Sequence, residues 1–203
     1  MKDLNTIIFD LGGVLIDWNP EYVFRNVFDD EQEMYYFFEN ICTHDWNIQQ
    51  DAGRSLAEAT EILVQERPDY ESQIRAYYGR WREMLGGAIE ETVEILDILR
   101  KQDSHRLLAL TNWSHETFPT ALERYDFLHW FEGIVVSGEE KLIKPDPRIY
   151  NLLIDRYQVE PQRALFIDDN VKNVTGAQSV GLQAVRFESP GQLRGFLKEN
   201  GVL

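Results

Sequence analysis

The feature that most constrains this chain is an uncharged apolar run, Ile7-Ile8-Phe9, that stops abruptly at Asp10 and continues as Leu11-Gly12-Gly13-Val14-Leu15. Consecutive apolar residues read as a strand buried on both faces, the kind found at the centre of a parallel sheet. A carboxylate at the carboxyl end of such a strand stands in the crevice where open α/β sheets hold their ligands. Gly12-Gly13 lets the backbone turn tightly and leaves room for a ligand beside the main chain. Taken alone, Asp10 is as readily an ordinary turn residue.

The remainder of the chain supplies partners for that strand. Leu107-Leu108-Ala109-Leu110, Gly133-Ile134-Val135-Val136-Ser137, Ala164-Leu165-Phe166-Ile167 and Gln183-Ala184-Val185-Arg186-Phe187 are strand candidates, and helical spacing separates each from the next. This alternation predicts a doubly wound, Rossmann-like parallel α/β sheet with right-handed crossovers. Residues 18–87 interrupt it. Asn19-Pro20, Asp29-Asp30 and Ser55-Leu56-Ala57-Glu58 are helix-start signals, Pro68 is a stop, and Tyr70 to Leu85 is read as one further helix ended by Gly86-Gly87. The block is therefore expected to be wholly helical, a lobe inserted after the first strand, with residues 1–17 and 88–203 forming the α/β core.

Every apolar run breaks well before the ~18 residues of a membrane span, and Met1-Lys2-Asp3-Leu4-Asn5 lacks a signal-peptide core and leads straight into a strand, so a cytoplasmic location is expected. The lone Cys42 excludes an internal disulfide and reads as a small core residue. A formal net charge of −15 repels nucleic acid and anionic lipid. An acidic chain that takes an anionic substrate needs a local cation, and a divalent metal held by carboxylates is the natural source.

Four segments follow strands: Asp10, Thr111-Asn112, Lys144 and Asp168-Asp169. In a doubly wound sheet these ends share one edge, so groups distant in sequence converge. Each alone has an ordinary reading as a cap or a turn. Together with their flanks, Phe9-Asp10-Leu11-Gly12-Gly13-Val14-Leu15, Leu110-Thr111-Asn112, Lys144-Pro145-Asp146-Pro147-Arg148-Ile149-Tyr150 and Phe166-Ile167-Asp168-Asp169-Asn170, they resemble the haloacid dehalogenase superfamily over nearly the whole chain. Within it the chain looks most like small bacterial sugar-phosphate phosphatases with a helical cap, α-D-glucose-1-phosphate phosphatases among them. The resemblance implies a magnesium-dependent phosphatase acting on a small phosphorylated metabolite, neither nucleic acid nor membrane, as a monomer or homodimer. Asp10 would be the nucleophile that becomes an aspartyl-phosphate. Asp10, the Gly12 carbonyl and Asp169 would hold Mg2+, with Asp168 reaching it through water or orienting a ligand and Asn173 supporting the shell. Thr111 and the amides near Asn112 and Gly13 would bind the phosphoryl group, and Lys144 would balance its charge.

One position departs from that pattern. Many phosphatases of the superfamily read Asp-x-Asp, where the second carboxylate transfers the leaving-group proton, and this chain has Gly12 there. Loss of such help costs about 10²- to 10⁴-fold in rate, least for good leaving groups. Asp17, His44 and His115 are substitutes to weigh against structural roles. The stretch Thr43 to Arg54 mixes aromatic and hydrogen-bonding side chains suited to a polyol, with His44 and Trp46 as candidate substrate contacts. The competing reading makes Trp46 core of the lobe, and Arg54, Arg80 and Arg82 are alternative contacts for a second anionic group. Two other functions compete: a metal-independent 2-haloacid dehalogenase, and a non-catalytic binding or regulatory protein.

Overall fold

The computed structural model describes residues 4–203. Met1, Lys2 and Asp3 of the amino-terminal segment expected to lead into the first strand lie outside the described residues. Strand β1 (Thr6–Phe9) is followed by β2 (Ile16–Trp18), and then by helices α1 (Glu21–Phe24), α2 (Glu31–Asn40), α3 (His44–Asp51), α4 (Leu56–Glu66) and α5 (Glu71–Gly79). After β3 (Leu85–Ala88) the chain alternates: α6 (Glu90–Gln102), β4 (Arg106–Thr111), α7 (Phe118–Arg124), β5 (Gly133–Val136), α8 (Ser137–Glu140), α9 (Pro147–Tyr157), β6 (Ala164–Asp168), α10 (Val171–Ser179), β7 (Gln183–Arg186) and α11 (Pro190–Glu199). Caps fall where short polar side chains precede helical spacing. Asp30, Thr43 and Ser55 accept the backbone N–H groups of Gln32, Trp46 and Glu58. Among the described residues no helix is long and apolar enough to cross a membrane.

All five strands predicted for the sheet form it, in the order β5-β4-β1-β6-β7 with every pair parallel. The strand order reverses between β1 and β6, the topological switch point where such sheets bind ligands. Phe9 lies between Ala109 and Ile167. The next residue on each strand, Asp10, Leu110 and Asp168, is thereby brought level at one edge. Both faces of β1 are covered: Ile7 and Phe9 join one apolar cluster with Leu165 and Ile167, while Ile8 joins another with Leu108, Leu110 and Phe166. Each such fully buried side chain contributes about 1.5–3 kcal/mol, which makes the edge a rigid mount.

The expectation that residues 18–87 hold no strand is corrected. β2 and β3 pair antiparallel, so both crossings between the sheet and the helical segment run through one two-stranded ribbon. Leu85-Gly86-Gly87-Ala88 reads as a helix stop because glycine has little strand preference. The small residue is needed at Gly86 by close approach, since a Cβ there would meet the Asp17 carboxylate at 2.2 Å and the Tyr22 ring at 2.7 Å. The single helix expected over Tyr70 to Leu85 is likewise divided, with α5 ending at Gly79 and a 3-10 turn over Trp81–Met84 leading into the ribbon. Cys42 is buried, and burial pushes its thiol pKa up, as befits an inert core residue.

Candidate active site

The site begins with the backbone continuing the sheet by one rung. Asp10 N–H donates to the Ile167 carbonyl at 2.8 Å, which fixes the carboxyl group at the switch point. Its Oδ1 accepts the Leu11 N–H at 2.8 Å and the Lys144 ammonium at 2.8 Å. Both donors fall on one oxygen, so Oδ2 is the atom placed to react.

Lys144 is 2% exposed and spends its three donors on the level strand ends: Asp10, Asp168 at 2.7 Å and the Leu110 carbonyl at 3.0 Å. Burial alone would lower its pKa, but the two carboxylates outweigh that and hold the ammonium above its ordinary value. Its position is set by Asn112, whose Oδ1 accepts the Lys144 N–H at 2.8 Å and whose Nδ2 donates to the Lys144 carbonyl at 3.0 Å. The expected substrate contact at Asn112 is thus corrected for its side chain, which is committed to the lysine and leaves only the main chain for a ligand. Thr111, 1% exposed, ends β4 beside it.

Asp168 is fully buried. It accepts the Asn170 N–H, the Asn173 amide on both oxygens and Lys144, so its carboxylate is saturated by the protein. Asn173 therefore orients Asp168 from the first turn of α10. Asp169 is exposed at the mouth. Gly13 sits directly beneath it with φ +73°, and a Cβ there would strike the Asp169 carboxylate at 2.7 Å. The Gly13 N–H donates to the Ile16 carbonyl at 2.9 Å, so this residue makes room for Asp169, a correction to its expected role as a phosphate donor.

Oxygens of Asp10, Asp168 and Asp169 lie within 4.8 Å of one another. One ammonium cannot neutralise three carboxylates, and burial, only partly offset by Lys144, pushes the Asp10 carboxyl up to about 8. Burial and then the Asp168 charge raise Asp169 as well. A surplus of hard oxygen donors around one point suits a small divalent cation.

The other expected residues lie elsewhere. Trp46 is 9% exposed and packs edge-on to Tyr77, 5.3 Å between ring centroids, so it belongs to the core of the helical segment and not to a substrate surface. His44 is exposed on the opening turn of α3, roughly 10 Å from that helix's far end at 1.5 Å per residue. Asp17, on β2, accepts the Tyr22 hydroxyl of α1 at 2.5 Å, and His115 is exposed.

Sequence reasoning did not single out Asp51, at the end of α3. Its carbonyl accepts the Ser137 hydroxyl at 2.5 Å, and Ser137 in turn accepts the Trp113 N–H at 2.9 Å, two residues beyond Thr111. The Asp51 carboxyl accepts the Asn47 amide at 3.2 Å, and the Ser114 backbone N–H lies near enough to lower its pKa. Burial pushes its pKa up to about 7 against the nearby Ser114 N–H, with Tyr77 and Tyr78 as the titratable groups around it. A folded-state pKa above the unfolded one means stability that is full below about pH 4 and is lost as pH rises through about 7. Asp51→Asn is expected to flatten that slope. At pH 8 it should gain roughly 1–3 kcal/mol, after subtracting one accepted hydrogen bond from an upper bound of about 4 kcal/mol. Urea midpoints at pH 4 and pH 8 check this, and a loss at pH 8 would show that the ionised carboxylate stabilises the fold.

Comparison with known proteins bears on the family to which this fold belongs. A family model described as haloacid dehalogenase-like hydrolase matches residues 4–181. The phosphorylated carbohydrates phosphatase of Thermotoga maritima is 26% identical over 187 residues, 90% of this chain and 84% of that protein. (S)-2-haloacid dehalogenase 4A of Burkholderia cepacia is 29% identical over 104 residues, 51% of this chain and 45% of that protein. Among solved structures, a HAD family enzyme of Bacteroides thetaiotaomicron in complex with magnesium and inorganic phosphate has a TM-score of 0.67 at 22% identity, covering 90% of this chain and 93% of that one.

Proposed function

The chain belongs to the haloacid dehalogenase-like hydrolases, and from that premise we propose that it is a magnesium-dependent phosphatase of small phosphate monoesters, sugar phosphates foremost. The observation that carries this reading is the convergence of Asp10, Lys144, Asp168 and Asp169 at the switch point with one Asp10 oxygen left unengaged by donors. Asp10 Oδ2 attacks phosphorus in line, the P–O bond to the leaving group breaks, the departing alkoxide takes a proton from water, and an acyl phosphate forms on Asp10. Water then attacks that phosphorus, releasing inorganic phosphate and regenerating the carboxylate.

Lys144 orients Asp10 and opposes the burial that favours its protonation, while the Thr111 hydroxyl and the Asn112 main-chain N–H receive the phosphoryl oxygens. Asp10, Asp169 and the Gly12 carbonyl would hold Mg2+, and Asp168, saturated by Lys144 and Asn173, would act by orienting its neighbours. Bound there, the cation supplies charge neutralisation to the phosphoryl group. Residues 18–87 act as a cap over this edge, joined to it through the β2–β3 ribbon.

A metal-independent dehalogenase is the competing hydrolase, favoured by the likeness to the Burkholderia cepacia enzyme. It gives no use to the third carboxylate, Asp169, whose place Gly13 keeps open. Phosphate release from a panel of esters, with Mg2+ and with a chelator, separates the two. Release that the chelator abolishes and Mg2+ restores is expected; halide release from 2-haloacids in the chelator, without phosphate release, would overturn the phosphatase reading.

A further inference from the structure

Trp113 follows Thr111 by two residues, and both of its main-chain groups are held by the turn that leaves β5. Its N–H donates to the Ser137 hydroxyl at 2.9 Å, and its carbonyl accepts the Gly138 N–H at 3.1 Å. The β4–β5 ladder runs as far as Thr111 paired with Val136. At Ser137 the chain enters α8, its backbone leaves the sheet, and a side-chain oxygen accepts where a strand carbonyl no longer can.

A serine hydroxyl has one proton to give and two lone pairs. The proton goes to the Asp51 carbonyl at 2.5 Å, nearer than the Trp113 carbonyl at 3.4 Å, which leaves a lone pair for the Trp113 N–H. Ser137 is fully buried and Trp113 is buried, so a bond lost here leaves a desolvated group unpaired. Gly138 has no room for a side chain, because a Cβ would meet the His115 nitrogen at 2.4 Å and the Trp113 oxygen at 2.8 Å. The far end of the loop is pinned separately. Trp113 Nε1 donates to Thr117 Oγ1 at 3.1 Å, and the Thr117 and Phe118 N–H groups donate to the Ser114 carbonyl at 3.2 Å and 3.0 Å.

Resting on the phosphatase reading, we propose that Ser137 is a positioning residue for the phosphoryl group. With Gly138 it fixes the main chain beyond Thr111, the segment whose Thr111 hydroxyl and Asn112 N–H receive the phosphoryl oxygens. The Trp113 N–H, spent on Ser137, is withheld from the ligand. Ser137 touches neither substrate nor metal in this assignment and acts through the loop alone. The carboxylate edge is held independently of it, since Lys144 bonds to Asp10, Asp168 and the Leu110 carbonyl. Misplacing a positioned group by 1 Å costs about 10²-fold, and a buried N–H deprived of its acceptor supplies the cause.

The test uses the full chain and reads three quantities in the folded protein: kcat/KM for p-nitrophenyl phosphate, the Kd of inorganic phosphate at saturating Mg2+, and the Kd of Mg2+ alone. In Ser137→Ala, kcat/KM is expected to fall roughly 10- to 100-fold and phosphate to bind roughly 10-fold more weakly, with Mg2+ affinity held within about 2-fold. Ser137→Cys keeps a weak donor and a weak acceptor and should fall between parent and alanine variant; it also carries the test if Ser137→Ala does not fold. Gly138→Ala, which must push the loop aside, should weaken phosphate at least as much as Ser137→Ala. A lowered Tm with the parent's phosphate affinity is what a merely structural hydroxyl gives, and it overturns the inference while the phosphatase reading stands. Mg2+ affinity falling by the same factor as phosphate affinity overturns it too, because the damage would then reach the carboxylates. A parent protein that neither binds phosphate nor releases it from p-nitrophenyl phosphate removes both readings.

Discussion

Asp10→Asn should abolish phosphate release, with kcat/KM down roughly 10⁴-fold or more for any ester, and yet leave the protein as stable as the parent or more so. The two halves come from the same contacts. Asn keeps an oxygen to accept the Leu11 N–H and the Lys144 ammonium, so the local hydrogen bonds survive. What disappears is the carboxylate proposed to attack phosphorus and one of two acidic groups held against a single buried ammonium. Asp168 remains to pair Lys144 at 2.7 Å, and no cation is left without a partner. Because burial of Asp10 outweighs its attraction to Lys144, removing its charge is expected to raise the melting temperature of chelator-treated protein or leave it level. A melting temperature lowered by several degrees would show that Asp10 is chiefly a structural ion-pair partner. Phosphate release that persists would remove it as nucleophile.

Gly12→Asp should do the reverse and add activity. A Cβ at Gly12 meets nothing within 4 Å, so a side chain can begin there without displacing a neighbour. Positioned acid/base help contributes about 10²- to 10⁴-fold, and the gain should concentrate on esters whose leaving alcohol is a poor one. The expected result is a rise in kcat approaching ~10²-fold for an alkyl phosphate and little change for p-nitrophenyl phosphate, whose leaving group needs no proton. Plotting log kcat against leaving-group pKa for parent and variant checks it. A steeper plot in the variant, or equal gains across the series, would mean that position 12 is not where a leaving-group proton is lacking.

The sheet and its edge were legible because their signals are local and repeated. Ile7-Ile8-Phe9 and Ala164-Leu165-Phe166-Ile167 can be buried on both faces only in a parallel sheet, and parallel strands deliver Asp10 and Asp168 to one side whatever connects them. The ribbon was not legible, since Gly86-Gly87 signals a stop by composition and a strand only once Asp17 and Tyr22 fill the space beside Gly86. Asn112 and Gly13 were read as ligand contacts. Their hydrogen bonds go to Lys144 and Ile16, partners that become visible only when the loops are folded together. Trp46 carries the same aromatic signal whether it faces a sugar or Tyr77, and packing chose Tyr77.

Because the chain crosses between sheet and helices on two strands lying side by side, the helical segment is tied to the sheet covalently along one line, and everything else that seats it is non-covalent. The Ser137 hydroxyl on the Asp51 carbonyl and the Leu56 N–H on the Glu116 carboxylate are contacts of that kind, tethering the segment to the ends of β5 and β4.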